Sequence, residues 1–370
     1  MRGRWLDQGA RAVRRAPSGA KAAVNANVAA ALDVLPRAGR GRPWHCAVLI
    51  LLAACLLAGV AQAARYEAPV KIGVLTLAWG PTPGTEGLRE GLMALGYRDN
   101  VDFVIGVRFV SGDISALPVA AKELVRGGVD IVFTVGMSEA VAVQRATRDI
   151  PVVFWVEGDP VHAGLVSSYP RPGGNMTGIT GVSTLLAPKR LEIFKKLVPR
   201  LIKVLFVYDG GDVSSVAQAE AYRAAGGRLG IELVEQAVRT RSQAEAALGK
   251  IGRDGVVGIV APGDVFLNIP GLVLEAAANQ KIPTMFLGAF MVELGGLASY
   301  GPNYESSGRQ AARLVDKIMR GVKPADIPVE VNNDIEFAVN LKVAKALGLK
   351  INPQVLYQAT KIIRCAPCGT

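Results

Sequence analysis

From position 71 onward the chain alternates short, continuously apolar runs with stretches whose apolar residues recur every three or four positions. Residues 71–77 (KIGVLTL), 101–110, 129–135 (VDIVFTV) and 151–156 (PVVFWV) read as strands, with helices at 85–97, 114–127 and 138–148. Runs that are apolar throughout, rather than at alternate positions, belong to parallel strands covered on both faces. The rhythm then breaks. Residues 157–184 hold Pro160, Pro170, Pro172 and six glycines, and read as a loop-rich connection. A second series follows, with strands at 203–208, 231–238, 256–260 and 283–287 and helices at 189–198, 213–229, 242–251 and 269–280. The pattern predicts an α/β protein of two Rossmann-like lobes with parallel sheets. Open parallel sheets bind at the carboxyl ends of their strands, so a ligand cleft is expected between the lobes.

Composition adds size and address. The 370 residues suffice for two cores, and with 50% hydrophobic and 20% charged residues the chain is neither disordered nor a charged tail. A formal charge of +11 invites a polyanionic partner, but residues 1–63 carry nine basic and two acidic residues, or +7. The other 33 basic and 29 acidic residues leave +4. In the leader, Arg37, Arg40 and Arg42 precede an apolar run at 47–61, followed by Ala61-Gln62-Ala63. This is the order of a cleavable secretory signal peptide. The run of 15 residues is shorter than the roughly 20 of a spanning helix. Export to the periplasm is therefore expected. A retained anchor is one alternative, and acylation at Cys55 in the lipobox-like Leu52-Ala53-Ala54-Cys55 is another, although the chain stays apolar beyond Cys55. Cys46 and Cys55 leave with the leader, so the mature chain keeps only Cys365 and Cys368 in a tail, 364–370. A small disulfide or two idle thiols are expected there, because zinc needs about four ligands and His162 is the sole mature histidine.

Candidate chemistry is sparse. Gly136-Met137-Ser138-Glu139-Ala140 follows a strand and opens a helix, as a nucleophile elbow does, and Ser138, Asp159 and His162 stand in hydrolase order. The acid-to-histidine spacing of three is too short for that fold, and Ser138 is read instead as a helix N-cap beside free amides. No G-x-G-x-x-G and no G-x-x-x-x-G-K-[ST] occurs in the mature chain, so no nucleotide cofactor is expected. Lys189, Arg190, Lys195, Lys196, Arg200 and Lys203 read as a solvated helix face and not as a nucleic-acid contact.

Longer motifs carry a resemblance. GGLASYGPN at 295–303, GRQAA at 308–312, GVKPADIPV at 321–329 and NLKVAKALG at 340–348 are the C-terminal set. With GLREGLMALGY at 87–97, IPVVF at 150–154, GDPV at 158–161 and PGGNMTG at 172–178, the chain resembles the ABC transporter substrate-binding proteins of the tryptophan/tyrosine-type family from Lys71 to about Ile363. The resemblance implies a periplasmic binding protein-like fold of type I, crossed three times by the chain. It divides the chain into lobe one, 65–181 plus 297–321, and lobe two, 182–296 plus 322–363. It also implies a monomeric receptor, not an enzyme, that needs neither cofactor nor metal. Such a receptor closes on a small-molecule solute, an amino acid or related carboxylate, and passes it to a membrane permease with a separate ATPase.

Carried over by position, the ligand-facing loop ends are Trp79, Gly136, Ser138 and Asp159 in lobe one. In lobe two they are Asp209, Gly210, Asp264 and Gly288, with Tyr300 on the return crossing. Ser138 and nearby amides are expected to hold a carboxylate, Asp209 or Asp264 an ammonium, and Trp79 a ring. Trp79 also reads as a lid contact, Tyr300 as a packing residue and Asp159 as a turn former before Pro160. The first loop, 78–84 (AWGPTPG), departs from the pattern of members that bind aromatic amino acids. A sensory receptor of the same fold shares all these features, whereas a sugar-type repressor would need a DNA-binding helix-turn-helix where this chain has its leader.

Overall fold

A computed structural model describes residues 66, 68–251, 255–261 and 271–364, all within the unit Ala63–Thr370. The leader with Cys55, the expected ligand residue Asp264 and the Cys365–Cys368 tail lie outside the described residues. Among the described residues no helix is long and apolar enough to cross a membrane.

The first series of apolar runs forms β1 (Val70–Thr76), β2 (Phe103–Phe109), β3 (Ile131–Val135) and β4 (Val152–Glu157). Between them lie α1 (Pro83–Ala94), α2 (Leu117–Arg126) and α3 (Met137–Ala146). Within the expected loop, Met176–Gly181 forms a wholly buried strand, β5, paired with β4. Its threonines and glycines interrupt the apolar run that marks the other strands. The second series gives α4 (Ser183–Leu197), β6 (Lys203–Asp209), α5 (Val213–Leu229), β7 (Glu232–Val238), α6 (Arg241–Leu248), β8 (Gly258–Val260), α7 (Leu272–Gln280) and β9 (Thr284–Phe286). Helix α4 starts at Ser183, ahead of the start expected at 189, and takes Pro188 inside it, because the buried face of Ala187, Leu191, Phe194 and Leu197 outweighs one missing amide donor. The remaining elements are α8 (Ala289–Glu293), β10 (Ala298–Pro302), α9 (Tyr304–Met319), β11 (Glu330–Val331), β12 (Ile335–Asn340), α10 (Leu341–Ala346), α11 (Pro353–Tyr357) and β13 (Lys361–Ile363).

Two sheets result, ordered β11-β5-β4-β3-β1-β2 and β13-β12-β10-β9-β8-β6-β7. All pairs are parallel except β10 with β12. The strand order reverses between β1 and β3 in one sheet and between β6 and β8 in the other, and at such points the following loops diverge to opposite faces and leave a crevice.

The chain passes between the sheets after β5, after β10 and after β11. This differs from the expected boundaries at 297 and 321. Ala298–Pro302 pair with β9 and β12 in the second sheet, while Glu330 and Val331 pair with Ile179 and Thr180 in the first. Helix α9 packs along α1, and Leu314, Val315 and Ile318 join the core of the first sheet. Asn332 ties the three passages together. Its amide N–H donates to Thr180 O at 2.9 Å, and its Nδ2 donates to Asn303 O at 3.0 Å and Ser307 Oγ at 2.6 Å.

Candidate functional site

A cavity of about 390 Å³ opens where the switch points of the two sheets face each other. The first sheet contributes the loop after β1, the turn from β3 into α3, and Trp155 and Glu157 at the end of β4. The second sheet contributes Asp209 at the end of β6, the start of α5, and Phe290, Met291 and Leu294 from around α8. Tyr304, just past the second crossing, belongs to the same wall.

The loop after β1 is held by two local devices. Thr82 caps α1, its hydroxyl accepting from the Thr85 amide at 3.2 Å, and Glu139 Oε1 accepts from the Leu77 amide at 2.9 Å. Glu139 reaches that position because Gly136, at φ 130°, makes the turn from β3 into α3 and leaves its carboxylate the space a side chain would fill. The Glu139 carboxyl is pushed up to about 8, chiefly by burial, with Asp212 adding to the shift and hydrogen bonds from the Leu77 amide and its own backbone opposing it.

That shift fixes a sign. The folded protein holds this proton more tightly than the unfolded chain, so stability from the group is present below the ordinary carboxylate range and is lost as pH rises toward 8. One unit is about 1.4 kcal/mol, so an effect of at least about 2 kcal/mol is expected between pH 5 and 9. Glu139→Gln keeps an acceptor for Leu77 and removes the charge, and should flatten the decline in Tm with pH. Parallel melting profiles for variant and wild type would contradict this.

Aromatic rings bridge the two halves of the wall. Trp155 from β4 meets Tyr304 edge-on with centroids 4.6 Å apart, and Phe290 from α8 meets the same ring at 5.4 Å. Trp79 stands at the mouth, 46% exposed. Burial raises the Tyr304 hydroxyl above its ordinary value. The charged groups among the described residues of the lining are acidic. Glu157 Oε2 accepts from the Ser183 amide at 3.1 Å, while its Oε1 is shielded and has no partner. Burial raises this carboxyl too, with Ser183 and the charge of Arg190 opposing. Asp209 Oδ1 accepts from the Gly211 amide at 2.7 Å. Asp212 caps α5, accepting from the amide and hydroxyl of Ser215 at 2.9 and 2.8 Å.

Of the residues expected from sequence, Trp79, Gly136, Ser138 and Asp209 line this cavity. Asp159 is exposed and closes its own turn, Oδ1 accepting from the Val161 amide at 2.9 Å. The Gly210 amide donates to Val238 O at 3.1 Å, outside the lining. Gly288 caps α8 beneath Phe290 and Tyr304, and Tyr300 packs edge-on against Phe337 at 6.2 Å. Neither Asp159 nor His162 joins Ser138 in the lining. Among the described residues no group of three or more His, Cys, Asp or Glu is placed to hold a metal ion.

Sequence reasoning missed Glu139, Glu157, Asp212, Trp155 and Tyr304. The signal for Glu157 was present, since a carboxylate directly ending an all-apolar strand stands at the carboxyl edge of its sheet. Arg190 was misplaced on a solvated face. It is fully buried, with Nε donating to Tyr300 O at 2.6 Å and Nη1 to Tyr222 Oη at 2.5 Å and Ser183 O at 3.4 Å. One turn of apolar neighbours on each side of it takes it inside.

Comparison with known proteins places this geometry. A family model described as ABC transporter substrate binding protein matches residues 72–363. A tyrosine-binding protein of Clostridioides difficile (strain R20291) is 28% identical over 282 residues, spanning 75% of this chain and 81% of the relative. Among solved structures, a conserved domain protein from Vibrio cholerae O1 biovar eltor superposes with a TM-score of 0.73 at 28% identity, covering 79% of this chain and 99% of the other. An ABC domain in complex with L-Trp from Streptococcus pneumonia gives a TM-score of 0.72 at 28% identity, covering 80% and 100%. The two-lobed α/β architecture is that of the type I periplasmic binding proteins.

Proposed function

Because the chain belongs to the ABC transporter substrate binding protein family, we propose that it is the periplasmic receptor of an importer, closing two lobes on a small solute and handing it to a membrane permease. A separate ATPase would power that permease, and the receptor acts as a monomer. The observation that carries the reading is a single cavity walled by strand ends of both sheets, with aromatic rings and carboxylates contributed from each side. A solute touching both walls stabilises the closed arrangement only by the contacts it gains there, which couples occupancy to shape. The tyrosine-binding relative and the L-Trp-bound neighbour support an amino acid or a related amine-bearing molecule with an apolar body.

A thermal-shift screen of the purified protein against amino acids, amines, small carboxylates and sugars tests the proposal, since a ligand that binds only the folded state raises Tm. The expected result is stabilisation by a narrow chemical class. Failure of every solute at millimolar concentration would overturn the proposal. Trp79→Ala should weaken the stabilising solute about tenfold or more by isothermal titration, the equivalent of about 1.5 kcal/mol for one aromatic contact. The melting temperature of the free variant should match wild type, because the ring is half exposed.

A further inference from the structure

Within that solute-binding reading, on which this inference rests, we infer that the cavity is built for an organic cation, an amine with an aromatic or branched apolar body and no carboxylate. Among the described residues, four acidic side chains line it, Glu139, Glu157, Asp209 and Asp212, and no Lys, Arg or His does. Arg190 is outside the lining; its Nε and Nη1 donate to Tyr300, Tyr222 and Ser183, its Nη2 has no partner, and its charge acts on Glu157.

A zwitterionic amino acid needs a place for its carboxylate, and helix N-termini ordinarily supply one. Four helices of suitable length start in the lining; the starts of α1 and α9 are capped by the Thr82 and Asn303 side chains, and those of α3 and α5 are occupied by carboxylates of the protein. Asp212 accepts from Ser215 at the start of α5, and Glu139 folds back over Gly136 at the start of α3. The position expected of Ser138 and its neighbouring amides is therefore shared with an acid group.

The unpartnered polar atoms of the wall point the same way. Glu157 Oε1, Gln218 Oε1 and Ser214 Oγ are buried without a partner, and Gln218 is only 1% exposed. All three accept hydrogen bonds, and a primary ammonium offers three donors and no acceptor. The unpartnered donors in the described lining, Trp155 Nε1 and the Ser214 hydroxyl, which can also accept, are neutral and suit a hydroxyl or ether oxygen on the body of the ligand. The rings of Trp79, Trp155 and Tyr304 line the cavity, and aromatic faces attract cations once water is displaced.

Matched sets separate the charge requirement from shape: tryptamine, tryptophan and indole-3-propionate, and tyramine, tyrosine and 3-(4-hydroxyphenyl)propionate, titrated calorimetrically into the purified full-length protein. The expected order is amine at least tenfold tighter than amino acid, with no binding of the deaminated acid. Asp209→Asn and Glu157→Gln should each weaken the amine tenfold or more and narrow its advantage over the amino acid, and the pair guards against one variant failing to fold. An amino acid that binds as tightly as its amine overturns the inference and leaves the receptor reading intact. If neither set binds, the inference also falls, and the wider solute screen decides the receptor reading separately.

Discussion

Replacing Gly308 with valine is expected to cost the protein at least about 3 kcal/mol of folding free energy, near the upper end of overpacking penalties. Gly308 lies in α9 where that helix lies against α1. A β-carbon there would stand far inside contact distance of Gly84 O and 2.6 Å from Leu88 N, both backbone atoms that cannot swing aside. The seam is reciprocal, since a β-carbon on Gly87 would strike Glu305 O, and one on Gly91 would lie 2.6 Å from the Ala312 methyl. Separating the helices would loosen Leu314, Val315 and Ile318 from the first core. It would also displace Tyr304, the first residue of α9 and part of the cavity wall. Equilibrium unfolding in urea measures the loss. Gly308→Ala should show a smaller penalty in the same direction, and a change below about 1 kcal/mol for valine would contradict the packing described.

The second large effect is expected at Arg190. Arg190→Met should destabilise by about 3–5 kcal/mol, because removing one partner of a buried charged network strands the rest. Tyr300 O, Ser183 O and Tyr222 Oη would lose their donor, and the Glu157 carboxyl would lose the nearby positive charge that opposes its burial. The guanidinium also lies 5.8 Å from the Tyr222 ring centroid. A double-mutant cycle isolates the electrostatic part. Arg190→Met with Glu157→Gln should cost clearly less than the sum of the single variants, whereas simple additivity would mean that Arg190 serves packing alone.

These two positions show what could and could not be read before folding. Strands buried on both faces announce themselves by continuous apolarity, so β1, β3, β4 and β6 were legible to within a residue or two at most of their ends. Strand β5 was not, because Thr177, Gly178, Thr180 and Gly181 carry no such mark and its burial is imposed by β4 and β11. Site residues at loop ends, such as Trp79, Gly136 and Asp209, were carried over by position from the family resemblance, which agrees with the rule that parallel sheets bind at their carboxyl edges. Glu139 was hidden by its neighbour Ser138, which looked like the chemical residue. Arg190 was hidden by the five other basic residues around it, since side-chain direction on a helix depends on what packs against it. The crossing near 302 was the hardest to see, because β10 is a strand of one sheet and the very next element serves the other.

The interleaving of the two sheets matters for the order in which the molecule can be completed. The hydroxyl of Thr177 donates to Ile327 O across 150 residues, and β11, outermost in the first sheet, is the last segment of the chain to join that sheet. Neither sheet is therefore the product of a contiguous gene fragment, and a polypeptide ended after β5 would lack α9, the helix that covers one face of its sheet. Closing so long a loop is entropically unfavourable until both ends have native surfaces to meet. The first lobe must remain an unfinished template while β6 to β10 of the second are made, and the second in turn waits for β12 and β13 until the chain has returned to complete the first.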